Sequence, residues 1–490
     1  MPFDSLNRRS FLAASATTAA TAALAAPTAS SAPNENSRLR IAFIGAGGRA
    51  QAHINSACDL YNAKKPIEIA TICDVFNRYR DETVHKVEDK TGMKPKATGD
   101  YRDIINDDSV DAVVISTPDH WHAKQTIDSL NAGKHVYCEK PMTHSVEEAL
   151  DVLNTWRSSG QVMQVGVQST TLPVWGAINE RINSGGLGKL IQYQTEFYRN
   201  SDMGQWRYYG LSRDMNPKNI DWKMFLGTEF DLAPEMPFDR AKFAQWRCYW
   251  DFGAGMFTDL FVHRTTSMLK ATGLRFPGRV VGAGGIYLEY DGRNVPDVAT
   301  VVADFDEGVQ GLVTATMCCE ETPIKQVIRG HHGSVVLGTG EEFTGYDFVA
   351  ERKPVTHERD LNSERVEVGR VDNTSLTHFE NFVDCAMAGT PDKVNCSPEL
   401  GAAAMTIVKL GSKSYREGKV FHFDKQSMSY SDGNASWANR WEEMSHERSK
   451  PVHVAGWHAG DRGSVLIPRD YQKLEGPWID GKDPAPPAEA

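Results

Sequence analysis

Two separated stretches carry side chains able to move protons. Glu139-Lys140-Pro141 closes a strand-like run, just after the apolar residues 135–138. A lysine at that strand end would lie where a parallel sheet binds its ligands. Lysine is also the cation whose protonation responds most readily to burial, and Pro141 fixes the backbone as it leaves the strand. The second stretch is Trp246-Arg247-Cys248-Tyr249-Trp250-Asp251-Phe252-Gly253-Ala254-Gly255 followed by Met256–His263. Gly253 and Gly255 permit a tight turn before a helix beginning near Met256. On that helix Asp259 and His263 stand four apart and share a face. An acid there can orient the imidazole and fix its tautomer for proton transfer. Leu260, Phe261 and Val262 make the surroundings apolar.

These groups need a cofactor site, and Leu39–Asn55 supplies the pattern for one. Leu39–Ile44 reads as a buried parallel strand. Gly45, Gly47 and Ala50 then give G-x-G-x-x-A, with Gly48 and Arg49 between, and Gln51 onward reads as helix. Gly45 permits the turn, Gly47 lets backbone approach a pyrophosphate, and Ala50 lets helix and strand pack closely. The helix N-terminus faces the phosphates. Asp74 ends the second strand, where an acid takes the ribose hydroxyls of NAD and repels the 2′-phosphate of NADP. Arg78 and Arg80 nearby could tolerate that phosphate, so NADP stays open. Ser116-Thr117-Pro118-Asp119-His120-Trp121-His122 follows another strand and opens a helix, with Asp119 as its N-cap. Two histidines one residue apart lack a third partner, and no C-x-x-C or H-x-x-x-H pair occurs, so no metal is expected.

The elements around these residues divide the chain. Residues 38–166 alternate strands (67–73, 112–116, 135–138, 162–165) with helices (78–91, 122–132, 145–158), the pattern of a doubly wound parallel sheet. From 167 to 425 the strand runs at 189–198, 280–290, 299–305, 309–317 and 334–337 are mostly period-two. Helices follow at 375–388 and 398–417, then a strand at 420–423. The fold class is therefore α/β: an N-terminal Rossmann domain, then an α/β domain with a large open, mostly antiparallel sheet. Residues 426–490 read as an extended arm.

At 490 residues, two domains are expected. A formal charge of −11 argues against nucleic acid or an anionic membrane as partner. Residues 1–35 read as a leader: Arg8-Arg9 precede a short alanine-rich run, resembling a twin-arginine signal and implying export to the periplasm or beyond. No later run is long and apolar enough to span a membrane. Among eight cysteines, Cys73 and Cys138 fall at ends of buried strands and read as small hydrophobes, although export would permit some pairing. Phe197–Phe257 holds 15 of the 46 aromatics, enough to supply flat faces to a sugar as well as core.

Gly45-x-Gly-Gly-Arg-Ala50, Thr117-Pro118 with His122, Glu139-Lys140-Pro141, and Asp259-x-x-x-His263 after a glycine turn together resemble the glucose–fructose oxidoreductase/inositol dehydrogenase (Gfo/Idh/MocA) family over about residues 38–425. The resemblance implies nicotinamide chemistry on sugars or cyclitols, with Lys140 and His263 as acid/base groups beside Asp259. It also implies oligomerisation through the open sheet, as a homodimer or homotetramer. Cofactor contacts are then assigned to Gly45, Gly47, Gly48, Arg49, Ala50, Asp74, Arg78, Thr117, Pro118, His122, Glu139, Lys140 and Gln168. Substrate contacts are assigned to Lys140, Arg247, Trp250, Asp259 and His263. The chain has Asp259-Leu-Phe-Val-His263 where the family often has Asp-x-Gly-x-His, and its arm lies outside the shared region. Net oxidation, with NAD tightly bound, and a redox-neutral lyase, epimerase or glycoside-cleaving reaction through a keto intermediate both fit the resemblance. A non-catalytic sugar-binding protein fits the retained Lys140, Asp259 and His263 less well.

Overall fold

A computed structural model describes residues 38–289, 291–338, 343–356 and 361–433. The leader with Arg8-Arg9, and the arm from residue 434 onward, lie outside the described residues.

The first sheet holds β1 (Leu39–Ile44), β2 (Ile67–Cys73), β3 (Lys96–Thr98), β4 (Ala112–Ile115), β5 (His135–Glu139) and β6 (Met163–Gly166). All are parallel, in the order β3-β2-β1-β4-β5-β6. The order reverses between β1 and β4, and the carboxyl ends of strands at such a reversal form a ligand crevice. β1, β2 and β4 are buried along nearly their whole length because helices cover both faces. The helix after the glycine turn starts at Gly48, three residues before the expected Gln51. β3 was not expected: Lys96, Ala97 and Thr98 are too few and too exposed to carry a readable periodicity. The helix Val146–Ser159 opens on a capping box between Ser145 and Glu148.

The second sheet has ten strands: β7 (Leu190–Tyr198), β8 (Arg279–Gly285), β9 (Val298–Phe305), β10 (Val309–Thr316), β11 (Gln326–Gly330), β12 (Gly333–Leu337), β13 (Gly345–Ala350), β14 (Glu364–Glu367), β15 (Phe421–Asp424) and β16 (Ser429–Asp432). Their order is β14-β13-β12-β11-β7-β10-β9-β8-β15-β16, and only the β7–β10 pair is parallel. In β9 buried residues alternate strictly with half-buried ones. β8 ends at Gly285 rather than continuing to residue 290. There the Asp297 carboxylate collects the backbone N–H groups of Tyr287, Leu288 and Glu289 at 2.9, 2.8 and 2.7 Å, and that clasp diverts the chain from the ladder. β16 lies in the arm, so the sheet continues past residue 425.

Two helices late in the sequence return to the first domain. Thr374–Ala388 packs Phe379, Phe382 and Val383 with Ala57 and Tyr137. Pro398–Glu417, capped by Ser397, runs beside both domains. Near its start, a Cβ on Gly401 would lie 2.9 Å from a Val165 methyl. Near its end, a Cβ on Gly282 of β8 would lie within bonding distance of the Gly411 carbonyl, so helix and sheet touch backbone to backbone. All eight cysteines are free, and Cys73 and Cys138 are fully buried as expected. No described helix is long and apolar enough to cross a membrane.

Candidate active site

A cleft of about 500 Å³ opens along the carboxyl ends of β1, β2, β4 and β5 and is lined from the second domain by Tyr208–Gly210, Trp246, Arg247, Asp259 and His263 among others. Of the expected cofactor contacts, it gathers Gly45, Gly47, Gly48, Arg49, Asp74, Thr117, Pro118, Glu139 and Lys140. Of the expected substrate contacts, it gathers Lys140, Arg247, Asp259 and His263.

The glycine turn has the form its residues require. Gly45 adopts φ +90°, and a Cβ there would lie 2.8 Å from the Ser116 carbonyl oxygen. Gly48 faces open space, leaving the first N–H groups of the helix clear. This open helix start above a strand-order reversal fits a dinucleotide pyrophosphate. Asp74 accepts the Ala46 N–H at 2.7 Å and the Phe76 N–H at 2.8 Å, so it also holds the turn. Burial raises its pKa to about 6 against those two bonds. Arg78 points away, exposed and ion-paired with Glu82 and Asp214.

Asp74→Ser should therefore narrow the preference for NAD over NADP. In the wild type that preference should be largest above pH 7 and shrink toward pH 5, because protonation near pH 6 removes the charge that repels a 2′-phosphate. Titration of the apo protein with both dinucleotides across this range checks it. A pH-independent ratio would refute the assignment.

Asp119 does not cap its helix. Pro118 occupies the N-cap, and the Asp119 side chain turns inward at 3 % exposure, toward Thr258, Arg247 and Lys140. Burial pushes it up to about 7. His122 is fully buried, with Nδ1 2.5 Å from the Pro141 carbonyl and Nε2 2.8 Å from that of Thr117. It ties the two strand-end loops together without lining the cleft.

Glu139 is the hub of the cofactor side. One carboxylate oxygen accepts from Arg49 Nε at 2.8 Å and Gln168 Nε2 at 2.9 Å and lies 2.7 Å from His53 Nε2. The other accepts the Lys140 backbone N–H at 3.0 Å. The Arg49 guanidinium and the His53 contact hold Glu139 well below the usual carboxylate range despite its burial. Gln168 thus acts behind the cleft wall, and Ala50 is wholly buried beneath the turn. His53 escaped the sequence reading because nothing in its helical spacing points to a partner 86 residues away.

On the substrate side, Lys140 Nζ donates to the Asp259 carboxylate at 2.7 Å and to its backbone carbonyl at 2.9 Å. Asp259 also accepts from Arg247 Nε at 2.9 Å and Trp206 Nε1 at 2.9 Å. Lys140 and Arg247 drive its pKa far below the carboxylate range. Its hydrogen bonds thus go to the lysine, the arginine and the indole, not to the His263 ring as expected. The helix does not begin regularly at Met256: Phe257–Phe261 is a π-turn, the wider winding that often marks functional sites. Trp206 is fully buried at φ +67°, a backbone strain held in place beside the acid it bonds. Burial and Lys140 hold His263 well below its usual pKa, so the imidazole is neutral at pH 7. Trp250 lies outside the cleft, half-buried against Phe257 and Tyr415 with the Arg416 guanidinium 4.9 Å over its ring. Its place is taken by Tyr208, Tyr209 and Trp246.

Residues 39–167 fit the oxidoreductase family NAD-binding Rossmann fold of the Gfo/Idh/MocA family, and residues 227–336 fit that family's C-terminal domain. By both domains the chain belongs to the Gfo/Idh/MocA family. Curated relatives include glycosyl hydrolase family 109 protein 1 of Shewanella sp. and an α-N-acetylgalactosaminidase of Shewanella oneidensis, each 36 % identical over 121 residues. Those matches span 24 % of this chain and only about a quarter, 26 %, of the relatives' length. The fold is shared with WlbA dehydrogenase from Bordetella pertussis, solved with NADH and UDP-GlcNAcA (TM-score 0.56, 17 % identity, covering 79 % of this chain and 99 % of that one). It is shared equally with levoglucosan dehydrogenase, solved with NADH and levoglucosan (TM-score 0.56, 19 % identity, 81 % and 100 %).

Proposed function

We propose that this chain is a nicotinamide-dependent enzyme acting on a hydroxyl of a sugar, glycoside or cyclitol. The observation that carries this reading is the Lys140–Asp259 ion pair with neutral His263 in the same cleft as an open glycine turn. NAD would be held by the Gly45–Arg49 turn, Asp74 and the Thr117–Pro118 loop; bound, it supplies a hydride acceptor. A carbinol loses hydride only as its hydroxyl proton departs, so a base and a charge-stabilising donor must reach that oxygen. Neutral His263 accepts the proton. Lys140, paired to Asp259, donates to the oxygen as its negative charge develops. Asp259 keeps the lysine in place through both its carboxylate and its carbonyl.

A second reading is a redox-neutral reaction in which the hydride returns to the same substrate after elimination, epimerisation or glycoside cleavage. The family 109 relatives and the paired Arg8-Arg9 favour it. Outside the cytoplasm little free dinucleotide is present to exchange, so the proposal includes a cofactor retained through many turnovers. Purified without added cofactor and then denatured, the protein should release close to one equivalent of NAD(H) per chain. Recovery far below that, with turnover only on added NAD, would leave an ordinary soluble-cofactor dehydrogenase. Assaying a sugar and glycoside panel for both NADH absorbance and product mass separates the two readings. Failure to act on any member refutes both. We also propose a homodimer or homotetramer built on the half-exposed face of the second sheet; a monomer in light scattering would exclude it.

A further inference from the structure

The substrate end of the cleft carries more positive charge than its own acids neutralise. Lys140, Arg199 and Arg247 all line it. Among the described residues Asp259 is the acid held firmly ionised at that end, shared by Lys140 and Arg247, while the Glu139 carboxylate is spent on Arg49. Asp119, raised to about 7, supplies only part of a second negative charge, and His263 is neutral. Arg247 spends Nε on Asp259, and its terminal nitrogens have no partner among the described residues. Arg199 is the more telling case. Its backbone N–H is fixed to the Thr316 carbonyl at 2.9 Å and its guanidinium lies 4.7 Å over the Phe197 ring, yet it has no carboxylate partner among the described residues. Two other arginines of this domain differ: Arg207 is bonded to Asp291 and Gln245, and Arg293 to Asp291 and Glu289.

A half-buried guanidinium without an acid partner, lining the same cleft as a second whose terminal nitrogens lack a protein partner and acting with it on Tyr208, is placed to receive an anionic group of a ligand. The planar fork of arginine matches the oxygens of carboxylate and phosphate alike. Tyr208 and Tyr209, at the mouth beside these arginines, offer the flat faces a sugar ring needs.

We propose that Arg199 and Arg247 form an anion-recognition subsite, so that the sugar taken by this cleft carries a carboxylate or phosphate group. The inference rests on the sugar-hydroxyl reading above and narrows its substrate class. Arg199 is the specificity-determining residue, because Arg247 is already partly committed to Asp259.

The test is calorimetric titration of the full-length protein, saturated with NAD, with three matched series: gluco- and galacto-uronates, the corresponding hexose 6-phosphates, and the neutral hexoses. One acidic series should bind about tenfold or more tightly than its neutral parent, and which series does so tells carboxylate from phosphate. In Arg199→Gln that ratio should fall below about threefold while NAD affinity is retained. Neutral hexoses binding as tightly as both acidic series would overturn the subsite and leave the sugar reading standing. Undiminished discrimination in Arg199→Gln would overturn the role of that residue. Binding of no sugar in any series would overturn the sugar reading and the subsite with it.

Discussion

Lys140→Ala and His263→Ala should each lower turnover by about 10²- to 10⁴-fold, the span typical of a positioned proton-transfer group. Both side chains face the cleft, and Asp259 keeps its bonds to Arg247 and Trp206 when Lys140 is removed, so the fold should be retained. The two losses should differ in their response to pH. His263 is held neutral by burial and by the neighbouring lysine. Removing the Lys140 charge lets its pKa rise toward the ordinary value near 6.5. The residual activity of Lys140→Ala should then fall on acidification at higher pH than wild-type activity does. Near-wild-type turnover in both variants would end the assignment.

Glu139→Ala should cost about 3–5 kcal/mol of stability, the usual penalty for removing one partner of a buried ion pair. Arg49, His53 and Gln168 would each lose an acceptor, and the Lys140 N–H would lose its own. The effect should also have a pH signature. Glu139 titrates well below a free glutamate, so its contribution is complete above about pH 4.3 and is lost as pH falls from there toward the folded value. The wild type should therefore lose stability more steeply than Glu139→Ala below pH 4.3. Denaturant midpoints at pH 7 and pH 3.5 measure both parts. A change below about 1 kcal/mol at neutral pH would show that the carboxylate is not the hub its bonds describe.

Local patterns made regular elements of both domains readable. Ile67–Cys73 and the helix Pro398–Glu417 fall where burial periodicity and caps place them, because one face or both must meet a core. Gly45 was legible because its φ of +90° and the Ser116 carbonyl beside it exclude other residues. What stayed hidden depends on distant parts of the chain. The three-residue β3 and the exposed β14 are strands only because a neighbour supplies their hydrogen bonds. Asp119 has the sequence context of a helix cap, yet burial near Arg247 and Thr258 draws its side chain inward. Asp259 and His263 were placed together by helical spacing, but a lysine 119 residues earlier and an indole 53 residues earlier take the acid's hydrogen bonds. Trp250 looked like a sugar platform by composition and proves to be packing under Arg416.

The helix Pro398–Glu417 acts as a splint. Its first turns are seated against Val165 and Met142 of the dinucleotide domain, and its later turns press Gly411 onto Gly282 and Val301 of the large sheet. A hinge needs a seam that few contacts cross. Here any wide parting of the two domains would have to shear a backbone-to-backbone contact at one end of a rigid rod or lift the other end from the core. The dinucleotide domain and the large sheet should therefore melt together in a single calorimetric step.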